Sequence, residues 1–169
     1  MHLVETVPNL HRRDVTKVMY TLDMHEAVVV ECCLLAQTMW AESAYNTQEF
    51  DLQETVAWAL HVIAQPQHFF ARCAIKDGEV IGFLLAFKQK NIFNKHYHAS
   101  DFALFVNPNR RGSITAKALY DDLVSWAKDN NIREIFLGQT TGVNPEQTRK
   151  FYEHLGMSHR GDIYSLEIT

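Results

Sequence analysis

Between Ala116 and Ala127 the apolar positions fall at Ala116, Leu119, Tyr120, Leu123, Val124 and Ala127, spacings that lay them along one face of an α-helix. Lys117, Asp121, Asp122, Ser125 and Lys128 fill the opposite face, so the helix should pack on a sheet and show its other side to water. Ahead of it, Tyr97 to Val106 reads as a strand, and Asn107 to Thr115 as a turn rich in arginine and small residues. Ile132 to Leu137 then reads as a strand parallel to the previous one, by the crossover rule.

The same reading covers the remaining chain. Leu3 to Val7 resembles a short strand closed by Pro8-Asn9, and Val15 to Leu22 suits either a short helix or a strand. From His25 to Ser43 the residues are apolar nearly all round, which predicts a helix buried between layers, although Val28-Val29-Val30 would also suit a strand. Asp51-Leu52-Gln53-Glu54 has the spacing of a capping box, with Val56, Leu60 and Ile63 on one face of a helix that stops before Pro66. Phe69 to Ile75 and Val80 to Phe87 flank Lys76-Asp77-Gly78-Glu79, a hairpin signal, and Lys88 to Lys95 follows as a polar loop. Asn144-Pro145-Glu146-Gln147 opens another helix, Gly156 ends it, and Asp162 to Ile168 reads as a final strand. Helices, a hairpin, a βαβ unit, a helix and a strand make a mixed α+β chain.

Composition narrows the function classes. With 169 residues, 47% of them hydrophobic, residues 1–169 are most simply one domain with its own core. A net charge of −4 leaves no bulk electrostatic drive toward nucleic acid or membrane. Three cysteines, Cys32 and Cys33 adjacent, give neither a disulfide framework nor a zinc spacing; they read as core residues and suit a cytoplasmic setting. The chain shows no signal-peptide pattern, and Glu31 breaks its most apolar run, Ala27 to Ala36, so no membrane span is expected.

The turn before the long helix carries the clearest chemistry. Arg110, Arg111 and small residues precede a helix N-terminus, where unpaired backbone N–H groups and the positive end of the helix dipole converge. An anion, a phosphate in particular, belongs there.

Arg111-Gly112-Ser113-Ile114-Thr115-Ala116 resembles the pyrophosphate loop of the GNAT-type, acetyl-coenzyme A-dependent N-acetyltransferases, with Ile114 where the middle glycine is usual. Phe151-Tyr152-Glu153-His154-Leu155-Gly156-Met157 is similar to a second segment of that family, with Met157 in place of an aromatic. The family's asparagine seven positions before the tyrosine is replaced by Pro145. The order of elements matches along essentially the whole chain, and Trp40-x-Glu42-Ser43-x-Tyr45 with Phe50-Asp51 further resembles small phage-borne members.

The resemblance implies a GNAT fold: a mostly antiparallel central sheet, splayed at its middle strands, with helices on both faces. It implies acetyl-coenzyme A as co-substrate and no metal. Pantetheine would pair with backbone at Phe105 and Val106, the pyrophosphate would meet Arg110, Arg111, Gly112, Ser113, Ile114, Thr115 and Ala116, and a backbone N–H near Phe105 would face the oxyanion. Tyr152 matches the acid that protonates the departing thiolate, and Asp101 and Glu42 are the candidate bases for an ammonium with pKa about 10.4. The expected activity is acetyl transfer by direct attack of a primary amine, on a small molecule or a protein. The alternatives are a non-catalytic module of the same fold that acts on a partner protein, and a modifier of an aminated nucleic-acid base. The last draws on Lys88, Lys90 and Lys95, interleaved with Phe93 and Tyr97. His96 and His98, two apart, read as surface histidines on a strand edge. A monomer or homodimer is expected, the latter through the exposed edge of the last strand.

Overall fold

The computed structural model describes residues 19–112, 114–166 and 168, so the expected strand at Leu3 to Val7 and the loop residue Ser113 lie outside the described residues. Strand β1 (Tyr20–Asp23) decides the ambiguity at Val15 to Leu22 in favour of strand over its described part. Helix α1 (Glu26–Glu42) and helix α2 (Leu52–Ile63) follow. The α2 start is capped as its sequence requires: the Asp51 carboxylate accepts from the Glu54 N–H at 3.0 Å.

Strands β2 (Phe69–Lys76) and β3 (Glu79–Lys90) form the expected hairpin. Its turn places Asp77 at φ 55° and Gly78 at φ 81°, both left-handed, the geometry that matches the twist of the flanking strands. The polar loop after β3 is shorter than expected. Lys88, Gln89 and Lys90 stay in the ladder because Ala99, His98 and Tyr97 of strand β4 (Tyr97–Val106) pair with them.

Helix α3 (Thr115–Asp129), strand β5 (Ile132–Phe136) and helix α4 (Pro145–His154) complete the described elements. The sheet runs β1-β2-β3-β4-β5, antiparallel except for the parallel β4–β5 pair. It is a mixed α+β architecture with helices on both faces. On one side Val29, Cys32 and Cys33 of α1 and Val62 of α2 bury against Cys73, Phe83 and Phe105. On the other, Leu119 and Leu123 of α3 lie fully buried against Phe70, Ile81 and Leu84. All three cysteines are thus core residues, as their apolar neighbours suggested.

Two expectations are corrected. The segment from Asp162 onward forms no strand over its described residues, and Ile163, Tyr164, Leu166 and Ile168 are all exposed. Strand propensity is realised only where an edge and a packing surface receive the side chains; here the stretch before it meets the sheet through Arg160 and Glu134 at 3.7 Å, and the segment itself stays in water. The histidines also part company. His96 sits in the loop before β4, whereas His98 lies inside the sheet, edge-on to Phe136 at 5.3 Å, with Nδ1 buried. No helix among the described residues is long and apolar enough to cross a membrane.

Candidate active site

The parallel pair sets the site's geometry. β4 meets β5 only from Tyr97 to Ser100, while its other edge stays paired with β3 as far as Val106. From Asp101 to Val106 one edge of β4 therefore borders an opening, and the sheet splits there. The resulting cleft, about 1820 Å³, runs between β4, the N-terminus of α3, the loop after β5, and α4. Crevices at the carboxyl ends of parallel strands are where open sheets bind ligands.

At the head of the split, three parts of the chain meet at the backbone of Gly138. The Gly138 N–H donates to Asp101 Oδ1 at 2.8 Å, and the Tyr152 hydroxyl donates to the Gly138 carbonyl at 3.2 Å. The two candidate proton-transfer groups are thus bonded to the N–H and the carbonyl of one residue. Burial pushes the Asp101 carboxyl up to about 6, against the lowering effect of the Gly138 N–H. Burial, with the charge of Asp101 beside it, pushes the Tyr152 phenol well above its ordinary range. Near neutrality Tyr152 is therefore a hydroxyl able to donate and Asp101 a carboxylate able to accept a proton.

Gly138 carries no motif signal. What points to it is position: it follows β5 almost directly, where a parallel strand opens into the crevice. The same loop is tied to the end of α1, since the Ala44 N–H donates to the Thr141 carbonyl at 2.9 Å.

The arginine turn divides its two cations. After the short helical turn Pro108–Arg110, Arg111 leans back over β4, with its guanidinium 5.2 Å from the Phe105 ring and Nε donating to the Val106 carbonyl at 3.3 Å. Its outer nitrogen, Nη2, pairs with the Glu42 carboxylate. Arg110 turns the other way, toward Asp77 of the β2–β3 turn at 3.8 Å. Phe105, Val106, Arg111, Gly112 and Ala116 line the cleft. Gly112, at φ 75°, makes the left-handed turn that redirects the chain into α3. Ile114 stands at the N-cap position, its side chain 72% exposed, so it points into water. Thr115 is buried at the helix start, against Gly82, where any added Cβ would lie 3.0 Å from the Phe105 carbonyl.

The expected residues therefore fall into two groups. Asp101, Tyr152, Phe105, Val106, Arg111, Gly112 and Ala116 share the cleft; Arg110, Ile114 and Thr115 face elsewhere. Glu42 reaches the site only through Arg111. Lys88, from the basic loop, donates to the Asn130 carbonyl at 3.1 Å and lies 4.4 Å over the Tyr97 ring. Among the described residues, no group of three or more histidine, cysteine or acidic side chains is placed to hold a metal ion.

No curated protein matches the chain by sequence. Solved structures match its fold over nearly its whole length. A ribosomal-protein-alanine N-acetyltransferase from Brucella melitensis biovar Abortus 2308 aligns with a TM-score of 0.68 at 20% identity, covering 90% of this chain and 100% of that one. AAC(6')-Iy, in complex with the bisubstrate analogue CoA-S-monomethyl-acetylneamine, gives 0.74 at 17% identity, covering 90% and 99%. Glucosamine-6-phosphate N-acetyltransferase from Arabidopsis thaliana gives 0.66 at 12%, covering 90% and 100%. Such identities establish the fold alone. The model of the acetyltransferase (GNAT) family matches residues 33–157, and on that match, with the split sheet around it, the chain belongs to the GNAT acetyltransferase family.

Proposed function

We propose that this protein transfers an acetyl group from acetyl-coenzyme A to a primary amine by direct attack. The observation that carries the reading is the pair Asp101 and Tyr152, bonded to the N–H and the carbonyl of Gly138 where the sheet divides. The cleft suits the co-substrate: the edge of β4 that β5 leaves unpaired after Ser100 is open to an extended chain, and a helix N-terminus with Arg111 beside it suits a pyrophosphate. Acetyl-coenzyme A supplies the activated acetyl group; the chain supplies proton transfer and orientation.

The Asp101 carboxylate, ionised above about pH 6, takes a proton from the incoming ammonium directly or through one water. The amine lone pair then forms the new C–N bond to the acetyl carbon as the C–S bond breaks. The Tyr152 hydroxyl gives its proton to the departing sulfur, the second proton of the amine, shed as the amide forms, restores Tyr152, and Asp101 returns the first to solvent, so the products are the N-acetyl amine, coenzyme A thiol and one proton. The Brucella protein is named as a ribosomal-protein-alanine N-acetyltransferase and AAC(6')-Iy is bound to a CoA bisubstrate analogue, both in keeping with this chemistry.

Tyr152→Phe removes one oxygen and leaves the ring in place. Turnover, followed by thiol release, is expected to fall about 10²-fold, with the calorimetric Kd for acetyl-coenzyme A within a factor of about two. Unchanged turnover would reject Tyr152 as the acid. Loss of both activity and binding would show that the hydroxyl serves structure.

A further inference from the structure

A second cavity of about 320 Å³ lies on the α1–α2 side of the sheet, and its chemistry is unlike that of the cleft. Among its described lining residues none is charged; Trp40, Tyr45, Phe50, Trp58, Phe83 and Phe102 form its aromatic part. Its size falls at the lower end of pockets that enclose small organic ligands, which begin at about 300 Å³. Three of the large side chains around it stay partly in water: Tyr45 is 48% exposed, Trp58 40% and Phe102 45%. Trp58 and Phe102 meet edge-on, centroids 4.9 Å apart, so the exposed rings are held in one arrangement. A packing void in a core has no reason to keep its aromatic walls wet, whereas a binding cavity does.

The cavity also joins the candidate active site. Met39, Tyr45, Phe102 and Ala103 line both spaces. Asp101 lines the cleft beside Phe102 and Ala103, two of the residues the cleft shares with this cavity.

We infer that this cavity receives the apolar part of the amine acceptor, and that the acceptor is an aryl- or alkyl-substituted primary amine rather than a polycation. The inference rests on the proposed acetyl transfer and specifies its substrate class. A polycation needs carboxylates to replace the water it loses, and this lining offers none. An aromatic or aliphatic group needs only the area that the rings provide.

The test pairs binding with turnover. Trp40 and Trp58 line the cavity while Trp126 lies across the sheet, so tryptophan emission reports occupancy. 2-Phenylethylamine is expected to change the emission saturably, with a Kd at least tenfold below those of methylamine and spermidine. With acetyl-coenzyme A present, its kcat/KM should exceed theirs by at least a hundredfold, and in an n-alkylamine series should climb about tenfold for every two methylenes. Ala36→Phe, which fills the cavity from α1, should cut the phenylethylamine-to-methylamine ratio at least tenfold. Thr55→Phe, from α2, makes the same measurement if the first variant does not fold. Acetylation of all three amines with equal efficiency would overturn the inference and leave the acetyl-transfer reading standing. Saturable binding of 2-phenylethylamine, with no amine acetylated by protein that binds acetyl-coenzyme A, would overturn the acceptor role and the transferase reading together.

Discussion

The two sides of the cleft are built differently. On one side β2, β3 and β4 pair along nearly their full lengths, and Leu84, Cys73 and Phe83 sit at 2% exposure or less. On the other, β5 meets β4 only from Tyr97 to Ser100, no residue of α4 is fully buried, and most of the segment after it is exposed. Asp101, Phe105 and Arg111 are fixed to the first side; Gly138 and Tyr152 arrive from the second through two hydrogen bonds. A rigid wall facing a lightly held one is what a cleft needs if a long ligand is to enter between strands. Position is kept where the charge must be placed, and freedom where the ligand must pass.

The most severe way to break this arrangement is Asp101→Asn. The amide keeps the size and can still accept from Gly138, but it cannot take a proton. The kcat/KM for acetyl transfer is expected to fall about 10²–10⁴-fold at pH 8. In the unmodified protein the acidic limb of the pH–kcat/KM profile should lie at about 6, the value to which burial lifts this carboxyl. A flat profile from pH 5 to 8, or an Asn variant of full activity, would remove Asp101 from the mechanism.

The two sides should also differ in what truncation costs. Leu84→Ala empties a site that is fully buried between β3 and α3 and should lower unfolding free energy by about 2–5 kcal/mol. Phe151→Ala on α4, where the ring is only half-buried, should cost less, about 1–2 kcal/mol. Denaturant unfolding reads both, and equal costs would dismiss the contrast. Amide exchange sharpens it: α4 should exchange faster than β3 in free protein and slow when acetyl-coenzyme A is added.

The same contrast governs what the sequence reveals. Asp77-Gly78, the Asp51 cap and the apolar face of α3 are local signals, each complete within a few residues, and each forms as its pattern demands. Asp162 to Ile168 carries equally good strand residues, but a strand needs a partner edge, and that requirement is written elsewhere in the chain. At the site, Arg110 and Arg111 are indistinguishable as letters; only the turn Pro108–Arg110 sends one to Asp77 and the other over Phe105. Gly138 is illegible for another reason: it contributes its backbone N–H and carbonyl rather than a side chain. The link from Glu42 to Arg111 spans 69 residues and leaves no periodic trace.

A smaller effect tests the burial on the rigid side by its sign. Asp101 holds its proton up to about 6 in the folded chain, against 3.8 for the free side chain. A group whose pKa rises on folding contributes stability that is full below the unfolded value and is lost as pH climbs through the folded one. Asp101→Asn should therefore match the unmodified protein in Tm near pH 3.5, pull ahead between about 4 and 6, and hold a constant lead above. A lead that grows toward acid would show that the carboxylate is stabilised where it sits.

The least effect is expected at Glu42, and its direction decides between two roles. Glu42 and Arg111 are each about one-third exposed, 31% by side chain, so their pairing is partly screened and weak. Arg111 is also held by the Val106 carbonyl and the Phe105 ring, and should keep its position over β4 without the carboxylate. In Glu42→Gln the arginine is then released to an incoming phosphate rather than displaced. The Kd for acetyl-coenzyme A should tighten about two- to fivefold at low salt, with the gain fading as salt is added. If Glu42 instead takes the proton from the amine, kcat falls steeply while Kd hardly moves. Measuring both in one variant separates a competitor for Arg111 from a base, and the bond to Arg111 favours the competitor.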